Sequence, residues 1–296
     1  MDSQHPQTTD SRAQGARIAF WVTLALISSS LEPILVKIGY ERQATAFQFL
    51  YIKSIVGGLF ILPLTREFRW IGLKGIVKFI YITVLFIVTT FLVLVALQHL
   101  SAVMVITIIT TTPAIVALLN QWKKKEVLGA KFWVGFFLCL AGIILTLELT
   151  GFSSLELDGV GITCAFASVI ASALYRTRMD DLTKEFTPRT ASTYIFVLNA
   201  LCALFFFTPW VGVVPKNVLP LGIVIGCAAA VANVAFLISL HLLGSTRISI
   251  ISIIQRPLVI TAAALILKER LTLLQIAGIL LVLGGIQLAS AKKRSE

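Results

Sequence analysis

Charge is what this sequence has least of. Only 13% of its 296 residues are Asp, Glu, Lys or Arg, against about 25% in soluble domains. None of the four occurs from Phe79 to Trp122, a run of 44 residues. With 57% hydrophobic residues and a mean hydropathy of +0.93, a soluble domain is excluded. A membrane-spanning helix needs about 20 apolar residues, so the run is read as two spans with a tight turn at Gln98, His99 and Ser101. Cysteine is scarce too. Cys139, Cys164, Cys202 and Cys227 all lie in apolar segments without metal-ligand spacing, so no metal site and no disulfide framework is expected. A glycine-rich phosphate loop, HExxH, a CxxC pair and GxSxG are all absent from the sequence, which argues against an ATP-driven pump in this chain and against an intramembrane enzyme. No filter-like sequence points to a channel. No cofactor is expected beyond coupling to a proton or an ion.

What is present is a series of ten apolar segments. They run roughly 18–39, 46–64, 75–97, 101–121, 130–148, 158–176, 190–208, 219–242, 247–267 and 271–290. The polar residues 1–17 have no apolar core and are expected to form a disordered tail, with the first span as insertion signal. Residues 291–296 form a short basic tail. If the N-terminus is cytoplasmic, 18 Lys and Arg fall on inner segments and 4 on outer ones. That bias predicts both termini inside. It also assigns the net charge of +11 to topology beside anionic lipid rather than to nucleic acid.

The richest signal is a repetition. Ser101, Pro113, Glu126, Gly135 and Gly142 recur as Ser245, Pro257, Glu269, Gly278 and Gly285. The steps are 12, 13, 9 and 7 residues in the first copy and 12, 12, 9 and 7 in the second. The predicted topology inverts the second copy. The expected fold is therefore an all-α integral membrane protein of ten transmembrane helices. Two inverted five-helix repeats, 18–148 and 158–290, would be related by a pseudo-two-fold axis in the membrane plane, as in many secondary transporters.

The run Ala96-Leu97-Gln98-His99-Leu100-Ser101-Ala102, then Pro113, Lys125-Glu126, Gly135 and Ala141-Gly142-Ile143, resembles the EamA-type branch of the drug/metabolite transporter superfamily. So does Ser245, then Pro257, Leu267-Lys268-Glu269-Arg270-Leu271, Gly278 and Gly284-Gly285-Ile286. The resemblance implies an exporter or exchanger of small metabolites with a central cavity lined by both halves. It is specific for the superfamily and uninformative on cargo. Arg256, directly before the second proline, departs from the commonest pattern.

Candidate site residues follow from the cost of polarity in lipid. Arg256 lies near the middle of the ninth span, where insertion costs about 2.5–3.5 kcal/mol. Either its planar fork binds an anionic group or it neutralises a buried carboxylate. Thr111 and Thr112 precede Pro113, and their hydroxyls either meet a polar substrate or bond back to their own helix. Glu32 is the one carboxylate well inside a span. Lys53 lies at similar depth in the next helix, so Glu32 is either a proton or ammonium acceptor or half of an ion pair locking two helices. Pro33, Pro113 and Pro257 are candidate helix breaks or gates. Asn199 and Asn233 are expected in interhelical hydrogen bonds, and Glu126 and Glu269 as organisers of helix ends.

Together these readings predict a secondary transporter in a bilayer, working by alternating access on a small polar metabolite, an amino acid or similar zwitterion. A functional monomer in a bacterial inner membrane is expected. The alternatives are an exchanger of phosphorylated metabolites or nucleotide-linked sugars using Arg256 and Lys53, and a non-transporting scaffold subunit.

Overall fold

A computed structural model describes residues 7–66, 70–124, 129–147, 158–269 and 271–290. Within them, the side chains of 7–15, 17, 120, 123, 124, 180, 240, 241, 243–256, 258 and 290 lie outside the described set. Every regular element among the described residues is helical. The helices are α1 (Gln7–Glu41), α2 (Ala46–Thr65), α3 (Gly72–His99), α4 (Ala102–Thr110), α5 (Thr112–Lys124), α6 (Ala130–Thr146), α7 (Gly159–Leu182), α8 (Pro188–Cys202), α9 (Thr208–Val211), α10 (Leu219–Ile266) and α11 (Leu273–Ser290). A π-helical turn, Ala203–Phe207, joins α8 to α9. Seven helices among the described residues are long and apolar enough to cross a membrane, and Ala130–Thr146 and Leu273–Ala289 are shorter apolar helices.

Three expectations are amended. Residues 7–17 are helical rather than disordered; no proline stands between Gln7 and Arg17 to stop α1 from running on past its apolar part. The fourth span, Ala102–Leu119, is one apolar span notched at Thr111, where α4 ends with helical dihedrals and α5 begins one residue later. The eighth and ninth spans follow one another without an intervening loop, in the 48-residue element α10. A straight helix of that length would reach about 72 Å, far beyond a hydrocarbon core of about 30 Å. Yet both its ends lie near the end of α1. Arg42 donates to the Asn217 carbonyl at 3.2 Å, while Lys37 is electrostatically coupled to Glu269. The element therefore folds back on itself. The stretch between Ser239 and Val259 contains the Gly244–Ser245 pair and Pro257, sequence features where helices kink.

The most extensive helix contacts all join the two halves: α6 with α11, α1 with α10, α3 with α7, α2 with α10 and α2 with α8. In terms of the ten spans these include five with ten, one with eight and nine, three with six, and two with seven. Exchanging the halves turns the three–six contact into one–eight and leaves two–seven and five–ten unchanged, as a two-fold relation requires.

The α6–α11 contact shows that relation atom by atom. A Cβ placed on Gly142 would lie 2.6 Å from the Gly278 carbonyl oxygen, and one on Gly278 would lie 2.6 Å from the Gly142 carbonyl oxygen. Gly135 and Gly285 face each other in the same way, with the Gly135 oxygen 2.6 Å from a Cβ on Gly285. The repeat equates Gly135 with Gly278 and Gly142 with Gly285, so the two pairs are the same contact seen from opposite ends. Small residues let backbones approach closely, the main route to helix association where no hydrophobic force acts between helices.

Helix ends are fixed by side chains. Thr45 and Gln48 form a capping box on α2, and Thr187 caps α8 just before Pro188. Asp158 caps α7 through the N–H groups of Val160 and Gly161 and shares a hydrogen bond with His99. The His99 bond, aided by those N–H groups, holds the Asp158 carboxyl below its ordinary range. Ser101 caps α4 locally. Glu269, in the second half, adds its carboxylate to the same helix start, accepting from Ala102 N–H at 2.8 Å and Val103 N–H at 3.2 Å. Negative charge is favoured there. Large apolar side chains such as Leu59, Leu73, Phe137, Phe205 and Leu280 stand exposed, the surface that lipid would cover.

The glycine seam yields a paired test. Gly142→Ala should lower stability by about 1–3 kcal/mol, because the new methyl meets backbone and has no flexible neighbour to displace. Gly284→Ala, where nothing lies within 4 Å, should melt with the wild type. Thermal unfolding in one detergent compares them, and equal melting of all three proteins would mean that the seam is not close-packed.

Candidate functional site

The polar interior lies where helices of the two halves meet. Lys53 on α2 is buried, with its side chain 6% exposed, and its Nζ donates to Oε1 of Glu32 on α1, which is 23% exposed. The Lys53 Nζ also stands 6.0 Å from the centre of the Phe86 ring on α3, within cation–π range. Phe86 in turn touches two rings of the second half, Tyr175 on α7 at 5.6 Å and Phe196 on α8 at 5.7 Å. Asn233 on α10 lies beside the Tyr175 hydroxyl, and Ser192 on α8 donates to the Asn233 Oδ1 at 2.9 Å. Ser54, next to Lys53, donates to the Leu50 carbonyl and to Asn199 Oδ1 at 3.1 Å. Further in, Thr65 and Thr193 share a buried hydroxyl pair at 2.7 Å.

These contacts form one connected set reaching from α1 to α10. Glycines make room for it. Gly57 and Gly58 pack on Phe196 and Ala200, and Gly226 packs on Val56 and the Lys53 carbonyl. The chemistry on offer is a carboxylate and an ammonium group that neutralise each other, an aromatic face, and amides bridged by hydroxyls.

The expected residues fall unevenly on this frame. Glu32 and Lys53 are brought together as an ion pair. Thr111 and Thr112 are buried, and their hydroxyls donate to Ile108 and Ile109 carbonyls at 2.7 and 2.6 Å. They bond back to the notched helix, and Thr110 does the same toward Ile106. Pro113 stands in the first turn of α5, where its missing N–H costs nothing. Pro33 lies inside an unbroken α1. Pro257 is exposed and also leaves the helix unbroken, which corrects its reading as a break; the helical stretches on both sides carry one missing bond. Arg256 is on the helical backbone of α10, and its side chain lies outside the described residues, as does Glu126. Asn199 and Asn233 make the interhelical bonds expected of them.

Phe86, Tyr175, Ser54 and Ser192 were not anticipated. Aromatic and hydroxyl residues are common in any span, so only their neighbours single them out. Arg176, the last residue of the sixth predicted span, is helical and within the apolar stretch Gly159–Met179. A cleft of about 300 Å³ between α5 and α7 opens beside it, lined by Leu119, Trp122, Leu174, Thr177 and Arg178.

Two halves packed about a pseudo-two-fold, with polar groups at their seam, match a sequence relationship. The profile of the EamA-like transporter family fits residues 16–148 and again residues 159–291. The chain belongs to the EamA-like transporter family. An uncharacterized transporter of Synechocystis sp. is 26% identical over 239 residues, 79% of this chain and 70% of that protein. The crystal structure of another protein has the same fold, with a TM-score of 0.51 at 18% identity over 96% of this chain and 99% of the other. This EamA protein is thus a multi-pass membrane transporter, and both names speak against an enzyme.

Breaking a buried pair by removing one partner costs about 3–5 kcal/mol, whereas replacing both by apolar groups is often neutral. Glu32→Gln should therefore destabilise this EamA protein strongly. The double variant Glu32→Gln/Lys53→Met should recover most of the loss. Melting curves of the three proteins decide it: a double variant no better than the single one would show the two charges to be uncoupled.

Proposed function

We propose that this EamA protein is a secondary active transporter of a small polar metabolite carrying both charges, an amino acid or similar zwitterion, working by alternating access. The observation that carries the reading is the Glu32–Lys53 pair at the seam between the halves. A zwitterion replaces each partner with one of like charge. Its ammonium group takes the place of Lys53 at Glu32, and its carboxylate takes the place of Glu32 at Lys53. Arg256, on the second half, is the further cation proposed for the anionic end. Thr111 and Thr112 keep their oxygens as acceptors while donating to their own helix. Glu32, more exposed than its partner, is also the acidic group proposed to couple transport to a proton gradient.

The two halves differ in the way such a cycle needs. The regular hydrogen-bonded helix is notched at Thr111, before Pro113, and continues through Pro257. Exchange of those two conformations between the halves exposes the site to the opposite side. The lysine and arginine bias supports termini on the cytoplasmic face, and the composition suits a bacterial inner membrane. An exchanger of phosphorylated metabolites would use the cations alone. A carboxylate placed on Lys53 works against a phosphate there, so the zwitterion is favoured.

Uptake into proteoliposomes tests this. The wild type should accumulate at least one amino acid from a labelled panel, faster when a pH gradient is imposed. The double variant Glu32→Gln/Lys53→Met should fold and fail to transport. Flux of a phosphorylated metabolite that survives loss of Glu32 would instead support the exchanger, and a double variant that transports amino acids normally would sink the proposal.

A further inference from the structure

Arg176 is an anomaly in the described structure. It lies in α7 within an apolar stretch and is half-buried. No salt bridge or side-chain hydrogen bond to it is found among the described residues; its electrostatic neighbour is the Tyr175 hydroxyl. Among the described residues, Lys53 is answered by Glu32, and Lys37 has Glu269 and Glu41 as electrostatic neighbours. A partly desolvated guanidinium without an anion is costly. Such a group in a span is expected to serve a route or a ligand.

Its position fits a route. Helical spacing puts Arg176 on the same α7 face as Ala165, Val169 and Ser172, and Ala165 and Val169 belong to the buried core. That face looks into the bundle. Gly161 packs on His99 and Leu100, so α7 and α4 start at one end of the bundle. Counting from that end at 1.5 Å per residue, Glu32 and Lys53 lie about 13 Å deep, Phe86 about 20 Å and Arg176 about 27 Å. Phe86 stands between the two cationic levels, touching Lys53 on one side and Tyr175 on the other.

We infer that Arg176 is a second anion-binding position, on the far side of the Phe86–Tyr175 contact from Lys53, which receives the carboxylate or phosphate of the transported molecule. The inference rests on the transport reading above and adds a residue to its site. The substrate's anionic group meets the guanidinium fork first at one mouth, passes the aromatic contact, and meets Lys53 at the other. The positive-inside bias makes the Arg176 mouth the cytoplasmic one. Arg178, at the adjoining cleft, packs over the Tyr81 ring at 5.8 Å and faces outward, so it does not duplicate Arg176.

The experiment uses the full chain, as wild type, Arg176→Gln, Arg176→Lys and Arg256→Gln. The probes are the amino acids, their amides and glycerol phosphate. Thermal stabilisation in detergent and uptake into proteoliposomes are read together. The expected result is that a carboxylate- or phosphate-bearing probe stabilises the wild type and binds Arg176→Gln at least tenfold more weakly. Arg176→Lys falls between, because it keeps the charge and loses the fork. The amide of the same probe binds the wild type and Arg176→Gln alike. If Arg176→Gln does not fold, Arg176→Lys alone must show the weakened binding. Unchanged binding in a folded Arg176 variant overturns the inference, and so does a wild type stabilised by no anionic probe. Repeating the melts in nanodiscs with and without phosphatidylglycerol separates a lipid. Stabilisation by that lipid alone, lost in Arg176→Gln, would make Arg176 a headgroup site and overturn the substrate role. Failure of the transport reading looks different: wild-type vesicles then take up no probe at all. If they take up a probe and Arg176→Gln does so with the same KM, only the Arg176 inference falls.

Discussion

In hydrocarbon no hydrophobic force drives one helix against another, so close backbone approach has to do the work. In this protein that approach is concentrated where the halves meet. Gly135 with Gly285, and Gly142 with Gly278, bring α6 and α11 into backbone contact. The same device recurs at Gly57, Gly58, Gly222 and Gly226, which admit α8 and α10 against α2. Once these seams close, Lys53, Glu32 and Phe86 are set opposite Tyr175, Asn233 and Ser192. The site is thus a product of the packing between the halves, and neither half holds it alone.

Buried charge imposes the second constraint. An ion pair at the seam is a poor source of stability, because desolvation offsets most of the attraction. Its value lies in being exchangeable. Each charge can be satisfied by its neighbour when the site is empty and by a ligand when it is full. The hydroxyl and amide pairs around it, Ser54 with Asn199 and Ser192 with Asn233, carry no net charge and tie α2 to α8 and α8 to α10. They hold the frame while the charges change partners.

Much of this was readable in the residues. Span positions, the two-copy repeat and its glycines came from apolar run lengths and from punctuation that lipid leaves few ways to vary. The Glu32–Lys53 encounter followed from equal depth on adjacent antiparallel helices. One reading that missed let a single residue type decide a helix: Pro257 was taken as a break, and the helix runs through it. The Phe86–Tyr175–Asn233 chain was out of reach because it depends on side-chain directions across three helices. A phenylalanine facing lipid and one facing a lysine read the same in a sequence.

The Glu269 carboxylate reaches across 167 residues to the start of α4, and the glycines of α6 wait for those of α11. The first half is synthesised and inserted long before either partner exists. Until the last hairpin arrives, α4 has only Ser101 at its exposed start and α6 presents a bare glycine face to lipid. Assembly of the first half is therefore completed from the far end of the chain. Loss of the last helix by truncation would strike at α6, made long before it.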